Sequence, residues 1–284
     1  MAGVRDHLAR LFTEHGRSAH ILIARNRKEV KSFAAKTAGS GRIVIAGGGD
    51  GTVNTVASVL IDTDAVLGVL PLGTMNHFAK DLSLPQDLAG AVATILEGRT
   101  ARLDVGDVNG HVFLNNSSLG AYSQLLRERK RDRDRGWVNW LAFAMATVAT
   151  LRHPLPITVR VRLDGVDQPA ERTPLLFVGN NRYSMYGARM GSRSRLDSGQ
   201  LWICMAPQCG RARLMWLAMQ ALAGRLRPED LSARNATAFS VQTQGSRVDV
   251  ARDGRVTSMA TPLHYRIRPA ALQVMVPYPI DTIS

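Results

Sequence analysis

The sequence predicts a two-domain α/β protein, with a parallel-sheet α/β domain first and a β-sandwich second. Three observations lead there. Strand-like and helix-like runs alternate up to about residue 104, which is the pattern of crossover units and a parallel sheet. After Arg102 short β-rich runs divided by turn residues take over, as in antiparallel sandwiches. Two glycine turns, in "RIVIAGGGDGTVN" and "VLGVLPLGTMNHFAKDL", each follow an apolar strand and open a helix.

In chain order, "VRDHLARLFTEHG" places apolar residues at helical spacing, and "AHILIA" is a short apolar run read as a strand. "NRKEVKSFAAKTAG" reads as an amphipathic helix stopped at Gly39. "RIVIAG" is a strand, "TVNTVASVLID" a helix, "AVLGVLPL" a strand, "NHFAKDL" a short helix and "LAGAVATILEGR" another. The second domain is read from "RLDVGDVNGHVFLNNSSLG", "PITVRVRLDGVDQPAERTPLLFVGN", "GQLWICMAP", "AFSVQTQGSRVDVARDGRVTSMATPLHYRIRP" and "LQVMVP", interrupted by helical insertions at about 121–151 and 210–224. The predicted domains are 1–104 and 105–270, with a closing strand at about 271–284 expected to pack back on the first.

Composition narrows the function classes. At 284 residues with 45% apolar and 21% charged residues, the chain is globular rather than disordered. Thirty-six Lys and Arg against 23 Asp and Glu give a net charge of +13, which attracts polyanions: nucleotides, nucleic acid or an anionic membrane face. Cys204 and Cys209 lack the partners that a disulfide framework or zinc site needs, so a reducing cytoplasm is expected. The N-terminus has charges throughout and no apolar run, so no secretory signal is expected. The longest apolar stretch, 137–151, has 15 residues, short of the ~20 that span a bilayer.

The glycine turns carry the chemistry. Backbone N–H groups at a helix start, with no side chains in the way, make a site for phosphate. Both turns fall at carboxyl ends of parallel strands, where open α/β sheets bind ligands. A single such turn is as well explained by tight strand-to-helix packing. Two of them, each with Thr and Asn, favour a ligand. Neither a Walker A loop nor a G-x-G-x-x-G fingerprint is present.

"GGGDGTVN" followed by "PLGTMNHFAKDL" resembles the diacylglycerol kinase catalytic-domain family, which includes bacterial lipid kinases and the sphingosine kinases. "RLDSGQLWICM" and "VARDGRVTSMATPLHYRIRPAALQVMVP" are similar to two further segments of that family. The resemblance covers most of the chain from about residue 40 onward. It implies a diacylglycerol kinase- and NAD kinase-like nucleotide domain, with ATP across the glycine turns. Gly48, Gly49, Gly51, Thr52 and Asn54 then belong to the first phosphate loop, and Gly73, Thr74 and Asn76 to the second. Asp50 matches a loop aspartate that can hold Mg²⁺, and it can equally cap the following helix. Asp197 is what remains of the paired carboxylates of a structural magnesium site. Asp253, in "RDGR", matches the base that takes the proton of a lipid hydroxyl; by itself the pair Asp253-Gly254 is a hairpin turn, as is Asp164-Gly165.

The sequence departs from the family pattern in four places. The family's opening strand, ending in Asn-Pro-x-x-Gly, has no counterpart before the first helix. His77 replaces a frequent aspartate. Ser198 replaces the second carboxylate beside Asp197, with Arg195 nearby. Arg255 stands where the family has a glutamate, a permanent cation in place of a carboxylate.

The resemblance thus implies an ATP- and Mg²⁺-dependent lipid kinase. The expected location is the cytoplasm, peripherally at the inner membrane face, with a membrane lipid as substrate and transient contact with an anionic membrane surface. A weakened or inactive relative that binds lipid or nucleotide is the alternative. Six basic residues within 127–135, followed by Trp137 and Trp140, suit such a contact or a solvated mixed-charge helix. No nucleic-acid partner is expected, since only charge speaks for one; a homodimer is left open. NAD kinases and 6-phosphofructokinases share G-G-D-G-T, but "PLGTMNHFAK" and the β-rich second half argue against them.

Overall fold

The computed structural model describes residues 2–120, 123, 156–163, 165–184, 191–209, 211–223, 225, 227 and 230–277. Apart from residue 123, the insertion expected at 121–151, with its basic run and Trp137 and Trp140, lies outside them, as does Asp164. The chain divides into two units, one of residues 1–103 and 271–284, the other of 104–270.

In the first unit, α1 (Ala2–Glu14) buries Leu8 and Phe12 in a cluster with Leu70, Ala91, Val92 and Ile95. Helix α2 (Arg27–Ala38) starts at Asn26, whose side chain accepts from the amides of Lys28 and Glu29. Glu29 reaches back to the Arg25 amide at 2.7 Å, a reciprocal cap that satisfies orphan donors at both places. β1 (Val44–Gly48), α3 (Asp50–Leu60), β2 (Val66–Pro71), α4 (His77–Asp81) and α5 (Leu88–Glu97) follow. Asp87 caps α5 through the Gly90 amide at 2.8 Å. β1 and β2 are parallel, and the closing strand β15 (Leu263–Val276) joins β2 in parallel through Gln273 and Val274. β3 (Arg99–Val108) pairs with β15 as well.

One expected strand is absent. Residues 19–24 form no ladder, although Ala19 and Ile21 turn toward the α1–α5 cluster while Leu22 and Ile23 are exposed. β1 is the outermost strand of its sheet among the described residues. An apolar run without a neighbouring strand has nowhere to place its backbone hydrogen bonds as a ladder.

The second unit holds two facing layers. One is an antiparallel sheet in the order β11-β10-β9-β5-β13-β14: Ser232–Ala236, Leu201–Met205, Leu175–Asn180, Asn116–Gly120, Arg247–Arg252 and Arg255–Ala260. The other contains the first half of β15, β12 (Ala238–Thr243) and β6 (Ile157–Leu163). Short strands β4 (His111–Phe113), β7 (Val166–Asp167) and β8 (Glu171–Thr173) border this layer. Along β15 Leu263, Tyr265 and Ile267 are buried and His264 and Arg266 exposed, the period-two alternation of a one-sided strand. Leu119, Val178 and Ile203 from one layer meet Val161, Val241 and Tyr265 from the other in a common core. β11 escaped the sequence reading because "SARNA" offers four exposed residues in five; the ladder with β10 makes it a strand. Helix α6 (Arg211–Leu222) lies where an insertion was expected. Burial pushes the Cys204 thiol up to about 12, consistent with an inert packing group.

Candidate functional site

The parallel register places Gly48 level with Pro71, so both glycine turns leave the sheet at one end. They touch each other. A Cβ at Gly73 would stand 2.3 Å from the Gly49 Cα and 2.9 Å from its nitrogen, and one at Gly48 would stand 2.7 Å from the Thr52 hydroxyl. No other residue allows two main chains this close.

Side chains then lock the pair. Asn76, buried and left-handed at φ 50, accepts from the Gly73 amide at 3.0 Å. Its amide nitrogen donates to the carbonyls of Pro71 at 3.0 Å and Gly73 at 2.9 Å. The Asp50 carboxylate accepts from the His77 amide at 3.2 Å and the Phe78 amide at 3.0 Å, one donor to each oxygen. Asp50 therefore caps not its own helix, where Gly49 is the cap and makes no side-chain bond, but α4, at the second turn. Replacing Asn76 by alanine removes three hydrogen bonds, so an equilibrium denaturation series is expected to show a loss of about 3 kcal/mol. Asn76→Gly loses the same bonds but tolerates the left-handed backbone, and should lose less.

Outside this lock, Gly51 and Thr74 are exposed, and Thr52 and Asn54 half-buried. Gly51 differs in kind from its neighbours: a Cβ there would meet nothing within 4 Å. Glycine inside a helix costs about 1 kcal/mol relative to alanine, and the chain itself gives no reason for it. The Thr52 and Val53 amides turn to the Gly49 carbonyl at 2.9 and 3.2 Å. The first amides of α3, at Asp50 and Gly51, have no carbonyl behind them by helix geometry. Amides and the positive end of the helix dipole thus converge where no side chain intrudes, an arrangement suited to an anion.

The donor set does not fit a protein-held magnesium ion. Asp50 spends each carboxylate oxygen on an amide. Asp197 lies 3.0 Å from the Arg195 guanidinium on the surface. Among the described residues no group of three or more His, Cys, Asp or Glu side chains could hold a metal.

In the second unit, Asp253 and Gly254 form the two-residue turn between β13 and β14, with Arg252 opposite Arg255 and φ values of 43 and 77. Positive φ at both residues is what such a hairpin asks for. The Asp253 carboxylate points inward and accepts the amides of Leu114 at 2.8 Å, Asn115 at 2.9 Å and Asn116 at 3.1 Å. Burial pushes its pKa above the usual carboxylate range, against the pull of these three amides and of the Arg193 charge. Arg255 is exposed, and the cations coupled to Asp253 include Arg193 and Arg252.

Arg193 was not foreseen. It is 4% exposed and donates to the carbonyls of Leu114 at 2.7 Å and Asn180 at 3.0 Å and to the Asn115 side chain at 2.8 Å. Tyr183 stacks beneath it at 5.5 Å and donates to the Asn115 carbonyl at 3.0 Å. Asn180 donates to the carbonyls of Asp104 at 2.9 Å and Leu114 at 2.8 Å. Residues 115–118, "NNSS", are all buried. A run of four polar residues inside a β-rich segment was the signal available for this network.

Comparison with known proteins agrees with both units. The family model "Diacylglycerol kinase catalytic domain" matches residues 2–108, and "YegS C-terminal NAD kinase beta sandwich-like domain" matches residues 126–276. A diacylglycerol kinase of Staphylococcus epidermidis is 30% identical over 175 residues, 61% of this chain and 54% of that protein. A diacylglycerol kinase of Bacillus subtilis is 29% identical over 185 residues, 64% and 60% of the two chains. The chain thus spans little more than half the length of these curated relatives. Among solved structures, a diacylglycerol kinase of Bacillus anthracis superposes with TM-score 0.67 at 21% identity, covering 91% of this chain and 85% of that one. An NAD kinase of Archaeoglobus fulgidus in complex with ATP gives 0.55 at 11% identity, covering 97% and 90%. These two likenesses concern the fold.

Proposed function

Because the chain belongs to the diacylglycerol kinase catalytic-domain family of lipid kinases, we propose that it transfers the γ-phosphoryl group of ATP to the hydroxyl of a membrane lipid such as diacylglycerol or a sphingoid-type lipid. The observation that carries the ATP half is Gly51, exposed at the start of α3 with open space where a side chain would be.

Bound there, ATP would supply the γ-phosphoryl group, with ADP as the leaving group. The chain supplies the rest. Gly49 and Gly73 keep the two turns in contact, Asp50 and Asn76 fix their spacing, and the α3 amides at Asp50 and Gly51 hold phosphate oxygens. Thr52 and Thr74, one in each turn, would offer hydroxyls as further donors, and Asn54 follows Thr52 on the same helix. As the lipid oxygen bonds to phosphorus its proton must leave, and Asp253 is the acceptor that the family resemblance suggests. In the structure the three amides give Asp253 a further part, positioning the chain at 114–116.

One observation favours a second reading, a relative that binds nucleotide or lipid with little turnover. Both Asp253 oxygens are held by amides, and the neighbouring position carries Arg255 rather than a carboxylate. Radiolabelled ATP offered with a panel of lipid alcohols separates the two. Label in a lipid phosphate is expected; nucleotide binding with no labelled lipid would favour the second reading, and no nucleotide binding would sink the kinase and leave only a lipid binder. Among the described residues no helix is long and apolar enough to cross a membrane, and the proposed location is peripheral, on the cytoplasmic face.

A further inference from the structure

Among its described side chains, helix α6 is buried on one side and exposed on the other. Leu217, 2% exposed, inserts into a cluster with Leu175, Tyr183, Trp202, Cys204 and Leu231. The other side carries Met215 at 48%, Trp216 at 42% and Met219 at 64% exposure. At ~100° per residue these three fall within one stripe about 100° wide, together with exposed Ala212 and Ala223. No charged residue interrupts the stripe. At its edge Arg213 lies over the Trp216 ring at 4.4 Å and pairs with Asp230 at 2.7 Å. Arg225 and Arg227, both exposed, follow the helix.

We propose that this face of α6 docks in the headgroup region of an anionic lipid bilayer. Soluble surfaces rarely keep large apolar side chains contiguous unless something covers them. Two methionines and a tryptophan suit a covering that has no fixed shape, because thioether chains repack freely and an indole ring sits well between apolar and wet layers. The arginine border on a chain of net charge +13 is complementary to anionic headgroups. The identity of the covering surface rests on the lipid-kinase reading, since the substrate of such an enzyme resides in a bilayer; the place rests on the exposure pattern alone.

The test is co-sedimentation of the full chain with vesicles of phosphatidylcholine alone or mixed with phosphatidylglycerol. Wild type is expected to bind the mixed vesicles, and the Met215→Glu/Met219→Glu variant to bind them about tenfold or more weakly with an unchanged thermal transition. Brominated lipid is expected to quench tryptophan emission in wild type and less in Trp216→Phe. A double variant that sediments like wild type, or quenching indifferent to Trp216→Phe, would overturn the proposal. So would a self-association abolished by the double variant with vesicle binding intact, since the face would then belong to a second copy. Phosphorylation of a short-chain diacylglycerol without vesicles is expected to be equal in both proteins. Its absence from both would count against the kinase reading and leave the vesicle result standing.

Discussion

Gly51→Ala is expected to weaken nucleotide binding by about a hundredfold while leaving the fold intact or slightly firmer. The stability half follows from the space around it. A Cβ at Gly51 meets no atom of the chain within 4 Å, and alanine in a helix is worth up to ~1 kcal/mol over glycine. The binding half follows from the purpose proposed for that space. A methyl group over the first amides of α3 would hold a phosphate away from donors worth ~1.5 kcal/mol each to a charged group, and two of them amount to about a hundredfold. Gly73→Ala is the necessary contrast. Its Cβ would press against the Gly49 backbone at 2.3 Å and the Asn76 side-chain oxygen at 2.8 Å, and main chain cannot swing aside. Overpacking of this kind costs about 3 kcal/mol. Titration calorimetry with ATP alongside urea denaturation would read both quantities. If Gly51→Ala bound ATP as wild type does, the open cradle would be a feature of packing only, and the phosphate assignment would fall.

That contrast also shows what the sequence could and could not disclose. Four glycines in five positions said that something approaches the main chain closely, but not what. For Gly48, Gly49 and Gly73 it proves to be the chain itself; for Gly51 it is open space. Asp50 was readable as a carboxylate at a helix start, yet its partners are the amides of His77 and Phe78, far along the chain and brought near only by β1 lying against β2. The run at 19–24 is short and apolar as a strand can be, but an apolar run does not report the presence of a neighbour to pair with. In the second unit, apolar alternation made most strands legible and left the polar edge strand β11 invisible. Arg193 gave no signal, because a chain with 36 basic residues does not reveal which one is buried.

Arg255→Glu is expected to raise phosphoryl transfer to lipid by about a hundredfold. Phosphorylating an alcohol requires a group that takes its proton, and a well-placed base contributes about 10²–10⁴-fold. In the protein as it stands the nearest carboxylate to position 255 in sequence, Asp253, accepts three amides at 2.8 to 3.1 Å. Each of these bonds would weaken as the carboxylate took up a proton, so the anchoring role of Asp253 competes with a role as base, even though burial raises its pKa. Position 255 is exposed, so a glutamate there would have its oxygens free of such bonds. It would also face Arg252 across the hairpin, turning a like-charged cross-strand pair into an attractive one worth about 0.5 kcal/mol. The substitution therefore has two independent readouts. A small rise in the unfolding midpoint reports that the hairpin accepted the change, and the rate of labelled lipid phosphate reports the chemistry. A variant that is more stable but no faster would show that the missing carboxylate does not limit turnover, and would shift the weight to the binding-protein reading.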